Sequence, residues 1–197
     1  MRERRASVRS TPLPDLQPDD LRALQRGDVR ALETVFHHFG DRVHRTCRWL
    51  LGQPADADDA AQEVFLRVLD KAHTFGGGAQ FSTWLYRLTV NHCLNMRRRP
   101  RLVTGVDVEA HPCRSRSPNE LAADAEARTQ LDALLARLSP DARAVLVLRE
   151  IEELDYAAIA AVLGIPIGTV MSRLSRARER LLELSETSLA MSLRRSS

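Results

Sequence analysis

The sequence contains little cysteine and few aromatic side chains. Its 197 residues include three cysteines, Cys47, Cys93 and Cys113, and 5% of its residues are aromatic. An odd number of widely spaced cysteines does not form a disulfide framework, and none belongs to a Cys-x-x-Cys zinc motif. We therefore expect buried thiols rather than disulfides.

Long apolar runs are also missing. No stretch reaches the roughly 18 unbroken apolar residues of a membrane span, so we predict a cytoplasmic protein without one. The amino-terminal segment carries arginines but lacks the apolar part of a secretory signal, and we interpret residues 1–19 as a flexible arm. The net charge of +3 permits a nucleic-acid partner, so the placement of the charges matters more than their total.

Helical periodicity is present along most of the chain, and its clearest pattern lies between residues 154 and 180. One apolar stripe ends at Leu163 and a second begins at Val170. Between them, Gly164 suits a left-handed helix end and Pro166 suits the first turn of a new helix. Such a pair predicts a helix-turn-helix, whose second helix enters the major groove of DNA. A helical hairpin with a solvated polar face is the alternative interpretation.

The second of these helices carries small groups and arginines on the face opposite its apolar stripe. Such side chains suit close approach to phosphates and base edges. The candidate contacts with duplex DNA are Thr169, Ser172, Arg173, Ser175 and Arg176.

A polar helix face is predicted in the first half of the sequence. We expect a break over residues 53–58 and then a helix from Asp59 to Ala72. The helix dipole favours negative charge at the start of a helix, which explains Asp56, Asp58 and Asp59 without a partner. Gln62 and Glu63 extend the same exposed face by one turn, which suits a basic protein partner.

Three consecutive glycines after Phe75 predict a loop, followed by a helix that Ser82 or Thr83 opens and Pro100 stops. Aromatic rings, amides and arginines around such a loop suit single-stranded DNA, because bases stack and phosphates need cations. Alternatively, the aromatic rings are core residues, which we favour for Trp84, and the arginines form a solvated helix end. The candidate side chains are Phe75, Asn91, Asn95, Arg97, Arg98 and Arg99.

The predicted fold is all-α, with two small helical domains joined by a flexible linker. Residues 102–119 contain proline, glycine and serine without periodicity, which is typical of a linker. The domains then span residues 20–101 and 120–186, and residues 187–197 form a tail. Asp28 and Ser139 are the expected caps of two helices.

Two side-chain groupings offer metal-binding alternatives, a zinc site and a hydrolytic metal site. Neither has a recognised ligand spacing or a nucleophile motif, so we expect no metal, cofactor or catalytic residue. The groupings are His37, His38, His44 and Cys47 for zinc, and Asp56, Asp58, Asp59 and His73 for hydrolysis.

Three stretches in this order resemble the bacterial sigma-70-type sigma factors, specifically the compact extracytoplasmic-function (ECF) group that keeps only regions 2 and 4. They are residues 56–68 (DADDAAQEVFLRV), 81–95 (FSTWLYRLTVNHCLN) and 138–181. The last of these stretches contains the predicted helix-turn-helix. The resemblance implies an initiation factor that binds core RNA polymerase, directs it to promoters and helps to melt the minus-10 element. It also implies an anti-sigma factor as a further partner.

By the same resemblance, Asp59, Gln62 and Glu63 dock on the clamp helices of the beta-prime subunit. Phe75, Asn91 and Asn95 hold a flipped minus-10 base, and residues 97–99 follow the DNA backbone. The linker threads toward the active-site channel of the polymerase.

The second half, by resemblance, lies near the beta flap and reads the minus-35 element. Two features depart from the family pattern: Met171 stands where an arginine or lysine is usual, and the loop is rich in glycine at 76–78. Losing a cation weakens phosphate or guanine contacts, so we transfer no promoter sequence. The alternative function is a helix-turn-helix regulator that acts without polymerase.

Overall fold

In the computed structural model, every regular element of the described residues, 15–98 and 129–195, is helical, with side chains described up to residue 187. The predicted linker, residues 102–119, lies outside this part of the chain. The first half comprises α1 (Pro18–Gln25), α2 (Val29–Leu51), α3 (Pro54–Lys71) and α4 (Phe81–Arg98). The second half comprises α5 (129–136), α6 (Pro140–Leu146) with a π turn (Val147–Ile151), α7 (Tyr156–Leu163) and α8 (Ile167–Arg195).

Three helix ends follow the sequence-based predictions. Asp28 caps α2 by accepting a hydrogen bond from the Arg30 N–H, and Ser139 caps α6 by accepting one from Ala142. Gly164 ends α7 in the left-handed conformation, with φ 66° and ψ 37°. The tight turn between α7 and α8 therefore has the predicted geometry.

Two helices are longer than the sequence predicted. The expected break over residues 53–58 is wrong, because α3 begins at Pro54. Proline suits a first helical position, where its missing N–H has no intrahelical partner. At the other end of the chain, α8 continues to Arg195, through most of the stretch predicted as a tail.

The start of α4 is capped from a distant part of the chain. The helix begins at Phe81, whose N–H donates to Asp15 Oδ1 over 2.9 Å. Ser82 and Thr83, the predicted caps, are instead buried within the first turn. A long-range contact has therefore replaced a local cap.

The buried side chains of the two halves form one continuous hydrophobic cluster. Phe39 and Phe81 lie within the first half, and Leu148, Ile159 and Leu174 within the second. Across the boundary, α7 packs against α4, and α6 and the π turn pack against α2. The two predicted domains therefore lie in direct contact.

Two cysteines face each other inside the first half. Cys47 on α2 and Cys93 on α4 are both buried, with their sulfur atoms 3.6 Å apart. The contact with Cys47, together with burial, raises the pKa of the Cys93 thiol. The expectation of buried thiols is confirmed for this pair, whereas Cys113 lies outside the described residues.

Among the helices described, none is by itself long and apolar enough to cross a membrane. Helices α7 and α8 are long and apolar enough only when they are taken together, and the two helices meet at a bend of 100°.

Candidate functional site

One exposed face of α3 carries the predicted protein-contact residues. Asp59 and Gln62 are exposed, and Glu63 is partly exposed, with its Oε1 accepting a hydrogen bond from Arg67 Nε over 3.0 Å. Leu66 lies one turn beyond Gln62 and is 62% exposed. This surface thus combines carboxylates with an exposed apolar side chain.

Phe75 lies at the start of the glycine-rich loop and is held inside an aromatic cluster. It is 8% exposed, and its ring centroid lies 5.8 Å from that of Phe81 and 5.6 Å from that of Trp84. Its carbonyl accepts a hydrogen bond from Gln25 of α1 over 2.9 Å. Phe75 therefore forms a wall of the loop rather than an exposed stacking platform.

Beside this cluster lies an open cavity of about 300 Å³, at the lower end of the volumes typical of ligand pockets. Loop backbone, two aromatic residues and one arginine contribute to its walls. The cavity is lined by Thr74, Phe75, Gly76, Gly78, Ala79, Thr83, Trp84 and Arg87.

The predicted polar residues of α4 lie beyond this cavity. Asn91 and Asn95 follow Arg87 at intervals of four residues, so the three lie along one helical face, and all are exposed. Arg87 is not among the residues predicted from the sequence, although its spacing from Asn91 could have identified it. Arg98 is exposed as well, which leaves a polar stripe running from the cavity to the end of the helix.

Arg97 is engaged within the fold. Its Nη1 donates to the carbonyl of Leu50 over 3.1 Å, and burial lowers the pKa of its guanidinium. Arg99 lies outside the described residues. Of the three predicted backbone-contacting arginines, Arg98 is the one that the described structure leaves exposed.

The predicted duplex-reading face of α8 is largely exposed. Ser172, Ser175 and Arg176 are open to solvent, and Thr169 is partly so. Arg173 is 31% exposed and pairs with Asp141 over 2.9 Å.

Met171 stands where the family pattern has an arginine or lysine. Its side chain is 54% exposed and lies in the same part of α8 as Thr169 and Ser172. Its side chain is available to a ligand that approaches the start of this helix.

Neither metal-binding alternative is assembled in the described residues, where no group of three or more candidate ligands lies together. His44 Nε2 instead contacts Asp58 over 2.6 Å, and His38 Nδ1 contacts the carbonyl of Thr34.

Comparisons with known proteins match both halves of the chain to one family. Residues 35–102 match Sigma-70 region 2, and residues 128–181 match Sigma-70, region 4. The chain is 33% identical to the RNA polymerase sigma-H factor of Pseudomonas aeruginosa, over 80% of this chain and 88% of that protein.

The chain belongs to the sigma-70 family, in its ECF group. A further relative of this sigma factor is the ECF RNA polymerase sigma factor SigE of Mycolicibacterium smegmatis, with 39% identity over 79% of this chain and 63% of the relative. Among solved structures, the sigma factor RpoE from Bartonella quintana, in complex with the anti-sigma factor NepR, aligns with a TM-score of 0.61 at 26% identity. That alignment covers 78% of this chain and 96% of the other.

The packing of Phe75 in this sigma factor gives a prediction about stability. Phe75→Ala removes a ring from the aromatic cluster, so we expect the free energy of unfolding to fall by about 3 kcal/mol. Phe36→Ala is the control, because that ring is 60% exposed and makes an edge contact with Phe65. It should lower the free energy by about 1 kcal/mol. Urea unfolding followed by circular dichroism measures both, and equal losses would contradict the buried position of Phe75.

Proposed function

We propose that this chain is a transcription initiation factor that binds core RNA polymerase, directs it to promoters and helps to melt the minus-10 element. The observation that carries the proposal is the combination, on one chain of this family, of three separate surfaces. They are the acidic face of α3, the cavity and polar stripe of α4, and the exposed face of α8. The chain works in the cytoplasm as a binding factor without a catalytic step of its own.

The acidic face of α3 is the proposed contact with the beta-prime clamp helices. Asp59 supplies negative charge for a basic partner, and opposite charge across an interface promotes association and fixes orientation. Glu63 adds a carboxylate whose charge is partly balanced by Arg67. The exposed Leu66 adds apolar area beside these carboxylates. Such a mixture of apolar and charged groups is typical of protein interfaces.

The cavity beside the glycine-rich loop is the proposed site for a minus-10 base that has left the DNA stack. Its wall contains Trp84 for stacking and Arg87 for phosphate or base contact. Asn91 and Asn95 then follow the strand along α4, and Arg98 contacts its backbone. Phe75 supports the wall from inside the aromatic cluster.

The exposed face of α8, near the beta flap, is the proposed reader of the minus-35 duplex. Ser172, Ser175 and Arg176 are placed for the major groove, with Thr169 beside them. Arg173 is a weaker candidate for base contact than the other residues, because Asp141 already neutralises its charge.

An anti-sigma factor is the proposed regulatory partner, supported by the RpoE–NepR complex among the similar structures. Affinity purification of the tagged chain under several growth conditions should recover, besides polymerase, a protein whose addition blocks transcription in vitro. Recovery of polymerase without any inhibitory protein under every condition would count against this partner.

Reconstitution with core polymerase tests the proposed function directly. The chain should give promoter-dependent run-off transcripts from a genomic fragment library. Replacing Asp59, Gln62 and Glu63 together by alanine should weaken binding to core polymerase at least about tenfold, or about 1.4 kcal/mol, and leave duplex affinity unchanged.

The control for this triple variant is Asp19→Ala combined with Glu186→Ala, which removes the same two charges from exposed positions elsewhere. It should bind polymerase like the wild type. An equal loss of polymerase affinity in both variants would show that the net charge of the chain matters and that the position of these residues on α3 does not. Tight, specific duplex binding without any run-off transcript would instead support the alternative, a regulator that acts without polymerase.

Met171 gives a test of how α8 meets DNA. Met171→Arg adds a cation near the start of the reading helix, so we expect tighter duplex binding. The slope of log K against log salt concentration should also become steeper by about one. Leu182→Arg is the matched control, because Leu182 is 60% exposed three turns further along α8. Fluorescence anisotropy over a salt series separates them, and identical slopes would contradict the proposed docking of the helix start.

A further inference from the structure

The glycine-rich loop beside the cavity is held at both of its ends by one segment near the amino terminus. Nε2 of Gln25, the last residue of α1, donates to the carbonyl of Phe75 over 2.9 Å. Oδ1 of Asp15, which precedes α1, accepts the N–H of Phe81 over 2.9 Å. We call residues 15–25 the amino-terminal clasp. Phe75 and Phe81 are the residues between which the loop runs, so both ends of the loop contact the clasp.

The loop has few contacts of its own. In the described part of the chain, residues 76–79 take part in no hydrogen bond. A Cβ atom added at any of the three glycines would meet no atom within 4 Å, and Gly77 has φ 72°, which L side chains rarely adopt. Ordering glycine costs more conformational entropy than ordering any other residue. The shape of the loop therefore depends on how its two ends are held.

The clasp fixes the direction of the first and last peptide groups of the loop. The carbonyl of Phe75 belongs to the first of these groups, and the N–H of Phe81 belongs to the last. The two rings are already packed together inside the aromatic cluster, with their centroids 5.8 Å apart. Packing holds the side chains, whereas a hydrogen bond is directional and also orients the peptide group that makes it. The clasp and the cluster thus restrain different parts of the same two residues.

The clasp is itself anchored on the first half. Leu16 and Leu24, one near each end of the clasp, are buried in the hydrophobic core. Helix α1 packs against α2, α3 and the 3₁₀ turn Ala72–Thr74, which immediately precedes the loop. Asp15 and Gln25 therefore reach the loop from a fixed support.

The start of α4 has hydroxyl groups that offer a local cap. Ser82 and Thr83 follow Phe81 directly, but both are buried, and Ser82 Oγ has no hydrogen-bond partner among the described residues. A capping residue stands just before the helix that it caps, so either hydroxyl would start α4 later and lengthen the loop. With Asp15 as the cap, the helix starts at Phe81 and the loop stays short.

The loop backbone forms part of the wall of the proposed base site. Gly76, Gly78 and Ala79 line the cavity together with Trp84 and Arg87. A mobile wall must be ordered when a base enters, and this cost lowers the affinity, whereas a wall that is already ordered avoids it. The clasp therefore affects the base site although its own side chains are not among the described residues that line the cavity.

We propose that Asp15 and Gln25 are positioning residues for the minus-10 base, because they hold the glycine-rich loop in the shape that accepts an extruded base. The clasp precedes residues 35–102, which match Sigma-70 region 2, so that match does not include it. The use of the ordered loop rests on the function proposed above. The order itself can be tested without polymerase or DNA.

Motion of the loop in the free, full-length chain is the first measurement. The chain has nine glycines, and glycine-selective labelling resolves Gly76, Gly77 and Gly78 for ¹⁵N relaxation. We expect their order parameters to stay above about 0.6, the upper limit of flexible backbone, in the wild type. Wild-type values below that limit would overturn the proposal, whatever the outcome of the transcription experiments.

Two variants release the two ends of the loop separately. Gln25→Glu keeps the length of the side chain but places an acceptor oxygen against the Phe75 carbonyl, and Asp15→Ala removes the acceptor for Phe81. Both should lower the glycine order parameters below about 0.6 and keep the wild-type helical content in circular dichroism. Unchanged order parameters in both variants would remove these residues from the proposed role.

Each variant has a matched control. Gln17→Glu adds the same charge as Gln25→Glu, but at an exposed position before α1 where the side chain makes no capping hydrogen bond. Asp15→Asn keeps an acceptor oxygen and should restore the order that Asp15→Ala loses. A loop as mobile in these controls as in the releasing variants would contradict the role of the two hydrogen bonds.

Base capture is measured with the holoenzyme. The probe is single-stranded minus-10 DNA from a promoter recovered in the run-off experiment, with an abasic site at each position in turn. The wild type should lose most affinity where the extruded base is missing. Gln25→Glu and Asp15→Ala should bind the intact strand about fivefold more weakly, the factor that one hydrogen bond contributes to an equilibrium. Their affinity for the strand that lacks this base, and for core polymerase, should equal that of the wild type.

The outcomes separate this proposal from the proposed function. Variants with a mobile loop that bind the intact strand like the wild type would overturn the positioning role. Equal weakening on every strand would show a general structural role instead. A wild type without a preferred abasic position would remove the base site of the proposed function, and the order parameters would still decide whether the clasp orders the loop.

Discussion

The burial of one carboxylate constrains how the two halves of this sigma factor meet. A charge without solvent contact is stable only when donors surround it, and those donors must stay within hydrogen-bond distance. For Glu152 they come from two helices of the first half, Arg45 of α2 and Tyr86 of α4. The position of the second half on the first is therefore fixed by the positions of α2 and α4. The π turn before Glu152 and the left-handed Glu153 after it fit this requirement.

The arginines of the chain divide into those that hold the fold together and those that face solvent. Burial lowers the pKa of Arg143 to about 10, with a further contribution from Arg97 nearby. The Nε of Arg143 donates a hydrogen bond to the carbonyl of Trp49, at the end of α2. Arg97 likewise donates to a carbonyl of α2. Arg98 and Arg176 face solvent at the two proposed DNA surfaces. The net charge of a sequence therefore overstates the charge that is available to nucleic acid, because composition does not distinguish these uses.

Features that depend on neighbouring residues were predictable from the sequence. The caps Asp28 and Ser139 and the left-handed Gly164 need only a local pattern of side chains, and each was found where expected. The start of α4 was not predictable, because Asp15 caps Phe81 across 66 residues. The family and the all-α class followed from three local motifs. The contact between the halves did not, because Arg45 and Glu152 are 107 residues apart and no local pattern connects them.

The same distinction applies to the candidate sites. Helical spacing was sufficient to place Asn91, Asn95 and the α8 residues on exposed faces. It did not reveal that Phe75 is packed inward or that Arg97 is engaged, because both depend on what the folded chain brings beside them. Arg87 was overlooked as a charged residue between apolar ones, although it lies on the same helical face as Asn91. Periodicity thus predicts which face a residue occupies, whereas long-range packing decides whether its side chain is available.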